Sequence, residues 1–104
     1  MYKPLPTGLT IKQSTVEGLG LFTTKEFTDT TVLGISHLRN EHFEHGFIRT
    51  PLGAFYNHTS DDVTANCRTI EGRWYDTFVL YLMTTKSLSA NEEILVEYTL
   101  YELI

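Results

Sequence analysis

Cys67-Arg68-Thr69-Ile70-Glu71, then Gly72-Arg73, then Trp74 through Thr85 is the stretch that decides the fold class. Its two arms are rich in β-branched and aromatic residues, and Gly72-Arg73 sits between them as a turn. The stretch reads as a hairpin with a long returning strand. Downstream, Ser87 to Glu92 is a polar turn in which Asn91 can take the left-handed conformation, and Ile94 to Leu103 is a last strand or a strand with a terminal hook. Upstream, Leu9 to Lys12 opens a strand after Pro4, Pro6 and Gly8. Gly18-Leu19-Gly20 then breaks the chain before Leu21-Phe22-Thr23-Thr24. Thr30 to Ile35 is another β-branched strand. Ser36 to Pro51 mixes polarities without helical spacing and reads as loop, with room for one short helical turn. Gly53 to Asn57 is a short apolar segment, and Thr59-Ser60-Asp61-Asp62 has turn composition. No segment sustains an apolar period of 3.6, which excludes a helical bundle. The chain is mostly β.

Composition narrows the function classes. The 104 residues, 41% hydrophobic and 20% charged, suit one globular domain spanning 1–104 and argue against disorder. Eight basic against thirteen acidic residues give a net charge of −5. No basic patch is available for a phosphate backbone, so the reading is no nucleic acid. Phe78 to Met83, the longest apolar run, is far too short to span a bilayer, and no signal-peptide core opens the chain. The expectation is a soluble cytoplasmic protein with no membrane partner. Cys67 is the single cysteine, which excludes an intramolecular disulfide and suggests a reducing compartment. Without a secretory signal, the acceptor-like triplet Asn57-His58-Thr59 is a coincidence.

Four short segments occur in a telling order: Glu17-Gly18-Leu19-Gly20-Leu21-Phe22, then Asn57-His58, then Thr64-Ala65-Asn66-Cys67, then Asn91-Glu92-Glu93-Ile94-Leu95-Val96-Glu97-Tyr98. Together they resemble the SET domain, the family of S-adenosylmethionine (AdoMet)-dependent protein-lysine methyltransferases. The resemblance spans residues 9 to 101. It implies a minimal SET domain without pre- or post-SET elements, like small viral SET proteins. The implied fold is β-clip-like, with several short sheets and a C-terminal pseudoknot. By the same resemblance, the backbone of Glu17, Gly18, Leu19 and Gly20 cups AdoMet, Asn57 and His58 hold its amino-acid and adenine ends, and Tyr98 is the catalytic tyrosine.

Each assignment has a plainer alternative. Gly18 and Gly20 also suit an ordinary β-turn, Asn57 can simply end a strand beside a solvated His58, and Tyr98 can be a core tyrosine with one satisfied hydrogen bond. His37, His42 and His45 fit no zinc signature and read as solvated loop histidines, so no metal is expected. Cys67 lacks the electropositive surroundings of a nucleophile. Glu92-Glu93 reads as a solvated turn.

The implied activity is methyl transfer to the side-chain amine of lysine in a protein substrate. The family's channel-lining tyrosines, however, fall at Ser36 and at Thr69 or its neighbours. That departure keeps a second reading open, a non-catalytic SET-like β module that binds AdoMet or a partner protein. The apolar residues Phe43, Phe47, Trp74 and Tyr75 suggest a possible homodimer.

Overall fold

The computed structural model describes residues 5–42, 46–59 and 64–97. Two strands, β1 (Leu9–Gln13) and β2 (Leu19–Thr23), form a separate antiparallel ribbon. The remaining strands are β3 (Val32–Arg39), β4 (Phe47–Arg49), β5 (Asn57–Thr59), β6 (Cys67–Trp74), β7 (Thr77–Thr84) and β8 (Leu95–Glu97). They make one mixed sheet in the order β4-β3-β7-β6-β8-β5, and a single-turn helix, α1 (Pro51–Phe55), packs on β3. The fold is mostly β, as the patterning predicts. None of the described helices is long and apolar enough to cross a membrane.

The deciding hairpin is present, but it turns later than expected. Trp74 pairs with Thr77, so the connection is Tyr75-Asp76 and Gly72 lies within β6 opposite Val79. A two-residue connection demands positive φ, and Tyr75 supplies it at 54°. Gly72 is glycine for another reason: the Tyr81 ring lies over it, and a Cβ there would sit 2.5 Å from Cε2 of that ring. The Tyr81 hydroxyl then donates to the Arg73 carbonyl at 3.2 Å.

β3 runs past Ile35 into the segment read as loop. Register shifts against β7 between Val32 and Gly34 and between Ile35 and His37 break the strict alternation of faces. Ser36 and His37 are consequently both fully buried, two adjacent polar residues where a regular strand would bury one. His37 is therefore a core residue rather than a solvated one. Its Nδ1 meets Ser36 Oγ at 2.8 Å, and its ring lies edge-on to Phe47 and Tyr56. His42 is exposed, and His45 lies outside the described residues.

The helix follows the loop rather than falling inside it. Thr50 caps α1, its hydroxyl accepting from Gly53 N while donating to the Ile35 carbonyl at 2.7 Å. Pro51 occupies the first turn, where its missing N–H has no partner to lose. α1 lies so close to β3 that a Cβ on Gly53 would overlap the Ser36 carbonyl. Leu52 and Tyr56 reach the core from this turn, beside Leu21, Leu82, Ile94 and Val96.

The decisive feature is the placement of β8. It is parallel to both neighbours, pairing Asn57, His58 and Thr59 of β5 with Leu95, Val96 and Glu97, and Cys67 of β6 with Val96. β5 and β6 are joined by residues 60–66, so the C-terminal strand is inserted between two strands that are already linked. The insertion is the strand order that a C-terminal pseudoknot requires. Asn66 fastens it. Its amide N donates to the Leu95 carbonyl at 3.0 Å, its Nδ2 donates to the Glu93 carbonyl at 2.8 Å, and its Oδ1 accepts from Leu95 N at 2.9 Å.

Two substitutions test this packing. Gly53→Ala forces α1 away from β3 and should destabilise by about 1–3 kcal/mol, as overpacking does. Asn66→Ala strands a donor and an acceptor of the inserted segment and should cost roughly 1–3 kcal/mol for each unsatisfied group. Denaturant titration of both variants checks these values. Stability within 0.5 kcal/mol of the unmodified chain, on the order of a neutral surface change, would contradict the assignment.

Candidate functional site

The site is assembled at the edge of the β1–β2 ribbon. Leu19 pairs with Gln13 and Gly20 with Lys12, so the strand begins inside the Gly18-Leu19-Gly20 triplet instead of after it. The connection Ser14 to Gly18 is closed by Ser14 N donating to the Gly18 carbonyl at 2.8 Å. Ser14 Oγ also accepts from the amides of Val16 (2.8 Å) and Glu17 (3.3 Å). Gly18 has φ 52, and a Cβ on it would meet no atom within 4 Å. Backbone conformation therefore demands the first glycine, and it leaves open space beside the turn. Val16 and Leu19 flank that space, both more than half exposed.

The second glycine answers to a different constraint. A Cβ on Gly20 would overlap the Glu93 carboxylate, which lies across the strand at that point. One oxygen of that carboxylate, Oε2, accepts from Ser14 Oγ at 2.6 Å and from Asn57 Nδ2 at 2.8 Å. Asn57 Nδ2 also donates to the Glu17 carbonyl at 3.2 Å and lies 3.5 Å from the Leu19 carbonyl. A single carboxamide thus ties together three segments that are far apart in sequence: the glycine turn, the Asn-His pair and the acidic C-terminal motif. Glu93 is no solvated turn residue. Glu92 does behave as one, its carboxylate accepting from Ser89 N at 2.7 Å on the surface.

The C-terminal motif is locked onto β2 by backbone hydrogen bonds. Thr23 N donates to the Glu92 carbonyl at 2.9 Å, Asn91 N to the Thr23 carbonyl at 2.9 Å, and Ile94 N to the Leu21 carbonyl at 2.7 Å. Asn91 makes the reversal with φ 67, as its residue type predicts. The buried Thr23 hydroxyl donates to the Ser89 carbonyl at 2.6 Å and accepts from Glu92 N at 2.9 Å. His58 is half-buried in β5 and packs edge-on to Tyr56, with ring centroids 5.1 Å apart. β8 ends at Glu97, and Tyr98 lies outside the described residues.

Of the predicted site residues, the structure joins Glu17, Leu19, Gly20 and Asn57 around Glu93, sets Gly18 on the turn between Glu17 and Leu19, and puts His58 next to Asn57 on the strand paired with β8. Glu93 and Ser14 are the contributors that the sequence reading missed. Glu93 stands within a quoted motif, but its partners are 36 and 79 positions away, and no local pattern reveals them.

The donor set here is mostly acceptor: the carbonyls of Glu17 and Leu19 and a carboxylate. It suits a cationic ligand end. Two surface cavities, of about 580 and 430 Å3, lie elsewhere. The larger is lined by Arg39, Arg73 and Phe78 among others and the smaller by Phe27 and Leu88, with none of the motif residues in either. Among the described residues, no group of histidine, cysteine and acidic side chains could hold a metal ion. Of the four apolar residues singled out for self-association, Trp74 and Tyr75 are exposed, while Phe47 is half-buried beside His37 and Phe78. Phe43 lies outside the described residues.

Against known proteins, the likeness is in structure. No protein-family model matches the chain, and no curated protein matches it in sequence. Among solved structures, a candidate histone methyltransferase of Plasmodium falciparum superposes with a TM-score of 0.73 at 16% identity, over 89% of this chain and 94% of that one. Two Polycomb Repressive Complex 2 structures match over 89% of this chain but only 15% of theirs. An apo form with mutations in Ezh2 gives a TM-score of 0.68 at 16% identity. A humanized Chaetomium thermophilum Polycomb Repressive Complex 2 bound to the inhibitor GSK126 gives 0.69 at 18%. At such identities the likeness is one of fold. The chain has a SET-like, methyltransferase-like fold.

Cys67 lies at the heart of this arrangement. Burial pushes its thiol from 9.0 up to about 12. In the folded chain the thiol stays protonated at a pH where the unfolded chain has already lost that proton. Its contribution to stability is therefore complete below pH 9 and is lost as pH rises from 9 towards 12, by about 1 kcal/mol per pH unit. Chemical denaturation of the unmodified chain and Cys67→Ala across this range checks the slope. The variant should lack this part of the alkaline decline, and a thiol reagent should label the native protein only after unfolding.

Proposed function

We propose that the chain is an AdoMet-dependent methyltransferase acting on the side-chain amine of lysine in a protein substrate. The observation that carries this reading is the Asn57 carboxamide, which joins three of the four motif segments at one acceptor-rich edge. The residues there fit AdoMet. Gly18 leaves an open notch at the turn, and the Glu17 and Leu19 carbonyls beside it offer acceptors to a molecule whose amino-acid end bears an ammonium and whose sulfur is cationic. Glu17, Gly18, Leu19, Gly20, Asn57 and His58 would hold it. Bound there, AdoMet would supply an electrophilic methyl group for in-line displacement by an amine.

The chain's own task is to deliver that amine neutral and aligned. A free lysine has a pKa near 10.4, so neutralising it at pH 7 costs roughly 4.6 kcal/mol. An apolar entrance lowers this cost by desolvation, and a nearby positive charge lowers it further. Tyr98 orients the amine through its hydroxyl, and positioning of this kind is worth about 7–11 kcal/mol in favourable cases. The proton shed on neutralisation leaves to solvent as the amine loses its water at that entrance.

A specific observation favours the second reading, the non-catalytic module. Ser36, where the family's channel tyrosine falls, is fully buried between His37 and the Leu80 carbonyl. The two readings part on turnover. Calorimetry should give one AdoMet per chain, with S-adenosylhomocysteine competing. Tyr98→Phe should keep that affinity within about twofold while transfer to lysine-rich peptides falls 100-fold or more, about 2.7 kcal/mol of transition-state stabilisation. Absence of binding at millimolar AdoMet overturns both AdoMet-based readings, and binding without transfer by the unmodified chain leaves the module.

A further inference from the structure

We propose that Glu93 is a positioning residue that fixes the orientation of the Asn57 carboxamide, so that this side chain can offer a ligand only its carbonyl oxygen. The inference rests on the methyltransferase reading and deepens it, because it says which end of AdoMet the chain selects and how.

The argument is one of donors and acceptors. A carboxamide has two N–H donors on one arm and an acceptor on the other, and the arms are similar in shape. An ionised carboxylate only accepts. Glu93 Oε2 stands 2.8 Å from the Asn57 side chain, so the arm facing it must be the nitrogen, since an oxygen there would meet like charge. The Glu17 carbonyl, another pure acceptor, takes the second N–H at 3.2 Å. Both hydrogens are therefore committed within the protein, and the Leu19 carbonyl at 3.5 Å adds a third acceptor on the same side. Oδ1 is what the side chain retains for a ligand. It suits an N–H donor such as an ammonium and repels a carboxylate.

Glu93 can impose this because it is itself held. Ser14 donates to the same oxygen at 2.6 Å, and the Ser14 hydroxyl is fixed in turn by the amides of Val16 and Glu17. Gly20 provides the room, since any Cβ would displace the carboxylate. From Glu93 the backbone runs directly into Ile94 and β8, whose pairing with β5 sets the distance to Asn57. The carboxylate is thus pinned from the ribbon and from the sheet, and it acts on ligand only through Asn57.

Two probes separate this role from a structural one: AdoMet, and 5′-methylthioadenosine, which keeps the adenosyl group but lacks the amino-acid end. Glu93→Ala should weaken AdoMet at least tenfold and leave methylthioadenosine within about twofold, and Glu93→Gln, which retains an acceptor, should recover most of the loss. The double variant Glu93→Ala/Asn57→Ala should bind AdoMet no worse than Asn57→Ala alone, because Glu93 acts through Asn57. Equal losses for both probes, or additive losses in the double variant, would make Glu93 merely structural and overturn the proposal. Failure of the unmodified chain to bind AdoMet overturns the reading beneath it, and the proposal as well. If Glu93→Ala does not fold, the ligand-free protein still decides the matter. The Asn57 side-chain N–H resonances should shift clearly in Glu93→Gln, and unchanged resonances would show that the carboxylate does not hold them.

Discussion

A three-residue strand governs this molecule. Leu95–Glu97 lies between β5 and β6, which are already joined to each other, and it must reach that slot in register with Asn57 to Thr59 on one side and Cys67 on the other. A buried strand that misses its partners strands several donors and acceptors at once. Asn66 meets the demand where β6 has not yet begun. Its side chain imitates a strand, accepting from Leu95 N and donating to the Glu93 carbonyl. Everything on the candidate site inherits its position from that insertion. β5 brings Asn57 and His58, β8 brings the chain to Glu97, and the turn before β8 brings Glu93 back over the glycine ribbon.

The pattern of strands was legible because it depends on local chemistry. Proline and glycine breaks bounded β1 and β2, runs of β-branched and aromatic residues announced the start of β3 and the hairpin β6–β7, and Asn91 in its turn adopts the conformation its type favours. The failures have a common cause in contacts that no local window contains. Gly72 looked like a turn glycine, yet its lack of a side chain serves the Tyr81 ring, while the real turn puts a tyrosine at positive φ. Ser36 and His37 looked like loop because two bulges spoil the alternation that identifies a strand. Pro51, taken as the end of that loop, in fact starts the helix, an example of proline's fitness for a first helical turn.

The site divides in the same way. Its residue types were readable from the order of the motifs, but the connections between them were not. Glu93 illustrates the limit. In sequence it is one of two adjacent acids in a polar turn, and only the fold distinguishes them. Glu92 closes a local turn onto Ser89, whereas Glu93 reaches the ribbon and Asn57. An acid whose partners are sequence-remote has no signature other than the glycine that makes room for it, and a Gly-x-Gly triplet is too common to be read that way.

The two glycines of that triplet therefore answer to different parts of the physics. Gly18 is required by φ and leaves space outside the protein, where a ligand can approach the backbone. Gly20 is required by packing and leaves space inside it, which the Glu93 carboxylate fills. A Cβ at the first would strain the turn, and one at the second would break the link between ribbon and sheet. The carboxylate that faces the Asn57 amide adds a side-chain link to the backbone bonds that hold the C-terminal segment on the ribbon. The carboxylate oxygen that links Ser14 of the ribbon to Asn57 of the sheet is also the one that faces the Asn57 amide, so architecture and amide orientation meet at Glu93 Oε2, in the space that Gly20 leaves.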